Sequence, residues 1–155
     1  MITVNVLSSH VGWKKALKDP SKYLEKKLKK LDKNNIFFKK KELEFSIFLA
    51  GNKEIKNLNK KFRKKNKSTD VLSFPFYEKK LLLKLIKKKN APVYLGDIII
   101  NFDKIIYKKY GSIFNFEFDK LWIHGLLHLL GKRHSKKKEF LSMQLYERNF
   151  FKSVN

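Results

Sequence analysis

The sequence contains no cysteine, which excludes disulfide staples, CxxC redox chemistry and thiolate metal sites. Any metal it binds must be held by histidine or carboxylate. Acidic residues are scarce, with 14 Asp and Glu against 37 Lys and Arg and a formal net charge of +23. That balance excludes an acidic mimic and favours contact with a polyanion. Arginine is rare too: Arg63, Arg133 and Arg148 are the only ones among the 37 cations. No apolar run approaches the roughly 20 residues of a membrane span. Met1 to His10 lacks the basic start and apolar stretch of a secretory signal, so the expected compartment is the cytoplasm. No stretch is rich in Pro, Gly or Ser, and no internal repeat is visible.

What is present is enough to fold. The chain has 155 residues, of which 43% are hydrophobic and 14% aromatic, and this predicts one domain over residues 1–155 built around a single core. Lysine excess alongside many Asn, Ile and Phe is also what an A and T rich coding sequence produces, so the charge alone names no substrate. Its clusters, such as Lys26 to Lys30 and Lys136 to Lys138, are spread along the chain and form no detachable basic tail.

Thr3 to Leu7 alternates weakly and predicts a strand. Asp19 can cap and Pro20 open a helix carrying Leu24, Leu28 and Leu31, which Asn34 and Asn35 end. Leu43, Phe45, Ile47 and Leu49 alternate with more polar neighbours, the period of a strand with one buried face. Gly51 and Asn52 lead into a helix with Ile55, Leu58, Asn59 and Phe62 on one face, ending near Lys64 to Lys67. Val71 to Phe76 reads as a strand that Pro75 confines to an edge or to its own end. Tyr77 to Ala91 fits a short helix, a hairpin or a mobile insertion equally. Tyr94 to Asn101 predicts a strand buried on both faces, and a short helix runs from Asp103 to Gly111. Asp119 is the expected cap of a helix stapled by Phe118 and Ile123 and ending at Gly131. Ser135 is the expected cap of a last helix whose apolar face is Phe140, Leu141, Leu145 and Phe151.

Three of the four histidines are His124, His128 and His134, in the stretch His124-Gly125-Leu126-Leu127-His128-Leu129-Leu130-Gly131-Lys132-Arg133-His134. Four residues at 100° each put His124 and His128 about 40° apart on one helical face, within reach of one ion. Gly131 can adopt the left-handed conformation that closes a helix, letting His134 double back toward the same point. Random placement of four histidines gives this spacing about once in a thousand sequences, so metal binding is preferred over coincidence. Three imidazoles with an open fourth position describe a catalytic zinc site, and one Zn2+ is expected, ahead of nickel or copper. His10 reads as an ordinary loop histidine.

The spacing HxxxHxxGxxH is zincin-like, that of the metzincin proteases, except that Gly125 stands where they carry a glutamate. That glutamate is the general base of peptide hydrolysis, so its absence argues for another substrate. A phosphodiester fits, because attack at phosphorus builds negative charge that a metal and an arginine can stabilise. Arg63 is a candidate for that second role, since a guanidinium grips a phosphate at two points, although from spacing alone a solvated helix-end cation is the preferred reading and Arg133 and Arg148 have the same claim. Asp70 and Asp97 read as N-terminal strand caps, or else as carboxylates orienting an imidazole. Glu117 and Asp119 are acidic residues close in sequence to the histidine helix.

Leu58-Asn59-Lys60-Lys61-Phe62-Arg63 continuing to Ser68-Thr69-Asp70-Val71-Leu72-Ser73-Phe74-Pro75, then Leu95-Gly96-Asp97-Ile98, then the histidine stretch, resemble the YbeY endoribonucleases, the bacterial factors of ribosomal RNA maturation. The resemblance implies an α+β fold with a small mixed sheet packed with helices and one zinc on the three histidines. It implies cleavage of single-stranded RNA during maturation of ribosomal RNA (16S) and ribosome biogenesis, with no DNA specificity. It also implies that Arg63 is the catalytic, RNA-binding arginine of a positive cleft with Lys65 beside it, and that small-subunit components or an assembly GTPase are partners. Two departures from the family's pattern stand out: Lys132 and Arg133 replace a Tyr-Asp pair, and Lys64 replaces a glycine. The alternatives are a non-catalytic RNA-binding assembly factor with a structural zinc, and a zinc hydrolase of peptides or small molecules.

Overall fold

The computed structural model describes residues 1–35, 38, 41–88, 91–105 and 111–155. Four strands form a mixed sheet: β1 (Ile2–Ser8), β2 (Leu43–Ala50), β3 (Val71–Pro75) and β4 (Val93–Asn101), in the order β1-β2-β4-β3. β1 and β2 run parallel, as do β2 and β4, while β3 lies antiparallel on the β4 edge. Pro75, which has no N–H to donate, ends that edge strand as its chemistry demands. β4 is central and buried on both faces, as its Ile98-Ile99-Ile100 run requires. A register shift between β2 and β4 coincides with Gly96 at φ +129°, where an added Cβ would lie 2.1 Å from the Phe74 carbonyl oxygen.

The helices are α1 (Gly12–Leu17), α2 (Pro20–Asn34), α3 (Asn52–Arg63), α4 (Lys79–Lys87), α5 (Ser112–Leu129) and α6 (Lys137–Val154). Asp19 caps α2 by accepting from the Lys22 N–H at 3.0 Å, and Leu24, Leu28 and Leu31 are buried along it. The undecided stretch after Tyr77 contains α4, which buries Leu82 and Ile86 and leaves Leu81 and Leu83 exposed. The helix expected from Asp103 reduces, in its described part, to a 3-10 turn at Phe102–Lys104, and residues 106–110 lie outside the described residues.

Three expectations are corrected. α5 begins at Ser112, so Asp119 is no cap but a fully buried residue in mid-helix. Its carboxylate accepts from Tyr23 Oη (3.1 Å), Trp122 Nε1 (2.9 Å) and Lys27 Nζ (2.7 Å), tying α2 to α5. α5 is apolar nearly all round because it crosses the core, which is why no one-sided stripe marked its start. The last helix is capped at Lys136 rather than Ser135, whose hydroxyl donates to Glu139 at 2.7 Å. α6 buries Met143, Phe150 and Val154, while Phe140, Leu141 and Leu145 are exposed. Among the described residues no helix is long and apolar enough to cross a membrane.

Candidate metal centre

The 3.6-residue repeat brings His124 and His128 to one face near the end of α5. Gly131 follows with φ +79°, and two bonds close the turn: its own N–H to the His128 carbonyl and the Lys132 N–H to the Leu127 carbonyl, each 2.9 Å. The chain therefore doubles back, and the His134 ring centroid lies 5.6 Å from that of His124 and 5.1 Å from that of His128. The potential ligand atoms of the three rings all lie within 4.8 Å of one another.

The partners of the outer nitrogens set the chemistry of the inner ones. Glu147 on α6 accepts from His124 Nδ1 at 2.6 Å, and the Lys132 carbonyl accepts from His128 Nδ1 at 3.0 Å. Each neutral ring thus carries its proton on Nδ1 and points the Nε2 lone pair inward. The two Nε2 atoms are 3.0 Å apart. Two bare lone pairs at that distance repel, so the arrangement calls for a positive charge between them, and a third imidazole beside the pair suits a metal ion better than a shared proton. His128 is suited to ligation at neutral pH: its pKa is pushed down to about 4, first by burial, then by the charges of His124, His134 and Arg63, against the opposing bond to Lys132. A donor set of three imidazoles, two of them with their Nδ1 atoms held by partners, fits a zinc-type ion.

Gly125 has a structural reason that the sequence does not reveal. An added Cβ would lie 2.7 Å from the Ile98 side chain, so this position faces the sheet and not the cluster. A glutamate there has no room to serve as base. Among the described residues Glu147 is the carboxylate bonded to the cluster, and it sits on the outer side of the His124 ring.

Arg63 is the exposed last residue of α3, close enough for its charge to depress the His128 pKa. Lys64 after it adopts the left-handed conformation (φ 58°), a region that a glycine enters without strain. The Lys65 N–H bonds the Asn59 carbonyl at 3.3 Å, and buried Asn59 donates its amide to the Lys67 carbonyl at 2.7 Å. At the far end of this loop, fully buried Asn101 sets its amide nitrogen against Asn52 Oδ1 (2.8 Å), Ser68 Oγ (2.9 Å) and the Thr69 carbonyl (3.0 Å). The loop behind Arg63 is therefore pinned at both ends. Lys65 itself is exposed, and no described contact joins its ammonium to the histidines.

Of the other candidate carboxylates, Asp70 is the strand cap expected, accepting from the Val71 N–H at 2.8 Å. Asp97 is not: it lies within β4 and accepts from Tyr94 Oη at 2.7 Å. Glu117 pairs with Lys120 at 3.3 Å. His10 is a loop histidine with a local role, accepting from the Gly12 N–H at 3.1 Å and stacking on Phe102. Glu147 went unnoticed in the sequence. Its signal is its spacing: Met143, Glu147, Phe150 and Val154 form the inward stripe of α6, and a glutamate on that stripe needs a buried partner.

The family model described as Endoribonuclease YbeY matches residues 11–155. A Pelagibacter ubique protein named Endoribonuclease YbeY is 43% identical over 156 residues, covering 99% of this chain and 97% of its own. One of the same name from Buchnera aphidicola is 38% identical, covering 88% and 80%. A solution structure of a Thermotoga maritima protein is similar with a TM-score of 0.53 at 26% identity, covering 98% of this chain and 90% of that one.

Proposed function

The chain belongs to the YbeY endoribonuclease family, and on that premise we propose that it is a zinc-dependent endoribonuclease cutting single-stranded RNA in the maturation of ribosomal RNA (16S). The observation that carries this is the convergence of three imidazoles, two of which have their outer nitrogens engaged and their inner nitrogens pointing at one another. Residues 1–155 act as one catalytic domain with a zincin-like site on α5 and the turn after it. A zinc ion held by His124, His128 and His134 would supply Lewis-acid stabilisation of charge on phosphoryl oxygens and activation of water.

The chain's own groups do the rest. Glu147 and the Lys132 carbonyl hold the Nδ1 protons and fix the rings. Arg63 binds nonbridging oxygens of the scissile phosphate through its two-point fork, while Lys65 and the wider lysine field hold flanking phosphates. Gly125, packed on Ile98, and a Glu147 turned to the outer edge of His124 both favour a phosphodiester over a peptide substrate. Small ribosomal subunit components are the partners and the cytoplasm the compartment in this account.

Substitution of Arg63 tests the pairing. Arg63→Ala is expected to lower kcat/KM on single-stranded RNA about 10²- to 10³-fold, the loss typical of one transition-state donor, with bound zinc unchanged. Arg63→Lys should fall between, because it keeps charge but loses the fork. Wild-type rates from both variants would remove Arg63 from the reaction.

A further inference from the structure

A cavity of about 620 Å³ opens between α5 and α6, beside the start of β3. It is contiguous with the metal centre, because His124 and Glu147 are part of its wall. The histidine cluster and Arg63 account for a phosphate but leave this space unused. Its lining is mainly apolar, with Leu121, Ile123 and Phe151 among the contributing side chains. Phe116 belongs to the same wall, is 47% exposed, and stands edge to face against Phe151 with ring centroids 4.8 Å apart. Lys120, Arg148 and Lys152 add three cations, and the Lys120 ammonium lies 5.5 Å from the Phe116 ring centroid.

An apolar space would be a poor home for a phosphate. A planar, neutral group suits it, provided that an anionic chain runs past the cations. An unpaired RNA base meets both conditions, since aromatic platforms flanked by cations are how single strands are held. The lining carboxylates other than Glu147, which is engaged with His124, agree with this: Asp70 and Glu117 would repel phosphate inside the cavity but can accept from the N–H groups of a base edge. We infer that this cavity is a base subsite: one unpaired base of the RNA enters between α5 and α6 and stacks on Phe116, while the adjoining phosphate lies at the histidine cluster. Arg148 then contacts the backbone at the entrance, which gives the second arginine a use. The inference rests on the RNA reading proposed above and names where its substrate is gripped.

The test is a cycle between protein and RNA on the zinc-loaded full chain. Short single-stranded oligonucleotides carrying one abasic nucleotide, moved position by position, are cleaved by the wild type and by Phe116→Ala. One abasic position next to the cut should lower wild-type kcat/KM about 5- to 150-fold, the worth of one base–aromatic stack. Phe116→Ala should lower it similarly on intact RNA and show no further loss at that position. A second variant, Phe116→Trp, should retain cleavage, with its indole fluorescence quenched by intact RNA and not by RNA abasic there. If Phe116→Ala cleaves intact RNA like the wild type, or if the abasic penalty persists undiminished in it, the subsite is overturned while the nuclease reading stands. If the wild type cleaves no single-stranded RNA at all, both fall together.

Discussion

A lysine in the left-handed region is unusual, and Lys64 holds that conformation directly after Arg63. A side chain there costs about 1–2 kcal/mol through crowding of Cβ against the following carbonyl. A glycine avoids that cost but loses about 0.5–1 kcal/mol of backbone entropy on folding. The difference favours glycine slightly, so Lys64→Gly should raise the melting temperature by about 1–3 °C. A lowered melting temperature would mean that the turn is unstrained. At the metal centre the decisive single residue is Glu147. Replacing it by glutamine keeps the shape but removes the charge facing His124 Nδ1, and orienting partners of this kind are worth about 10- to 100-fold in metal affinity. Glu147→Gln should therefore bind zinc about tenfold more weakly in competition with a chromophoric chelator, with the melting temperature of the metal-free chain unmoved. Unchanged affinity would make the contact incidental.

At the scale of elements, α5 carries most of the account, because it contributes both the core and two histidines. Its spacing His124, His128, Gly131, His134 was legible in the sequence, since ligand geometry depends on helical repeat and one glycine, both local properties. Its origin at Ser112 was not. Phe114, Phe116 and Phe118 alternate like a strand, and Asp119 looks like a cap until the Lys27, Tyr23 and Trp122 partners are seen. Those partners come from distant sequence, and a polar residue satisfied in the core carries no local mark. α6 misled for the converse reason: Phe140, Leu141 and Leu145 are apolar yet exposed, so hydrophobicity alone chose the wrong stripe. The Asp119 cluster makes a testable claim about how the elements hold together. Asp119→Ala leaves the Lys27 ammonium only Asn155 Oδ1 at 2.7 Å, strands a phenol and an indole N–H, and should cost about 3–5 kcal/mol in urea unfolding. A loss below about 1 kcal/mol would show that α2 and α5 are held by apolar packing alone.

For the whole molecule, the sheet order was beyond the sequence, because pairing β4 between β2 and β3 depends on contacts that no local pattern encodes. The presence of four strands, the buried character of β4 and the confinement of β3 to an edge or to an end at Pro75 were legible from alternation, an apolar run and one proline. What the assembled fold adds is convergence. α5 and its turn bring three imidazoles together, α6 supplies the carboxylate behind one of them, and Arg63 at the end of α3 is near enough for its charge to reach His128. On the proposed reading the net charge of +23 collects a polyanion and the histidine cluster decides where it is cut. The most direct measurement strips the purified chain with a chelator and follows single-stranded RNA cleavage as zinc is returned. Cleavage should be absent at first, rise in proportion to zinc and level off at one ion per chain, with none regained by His128→Ala. Undiminished cleavage by the metal-free chain, or by His128→Ala, would contradict the account at its centre.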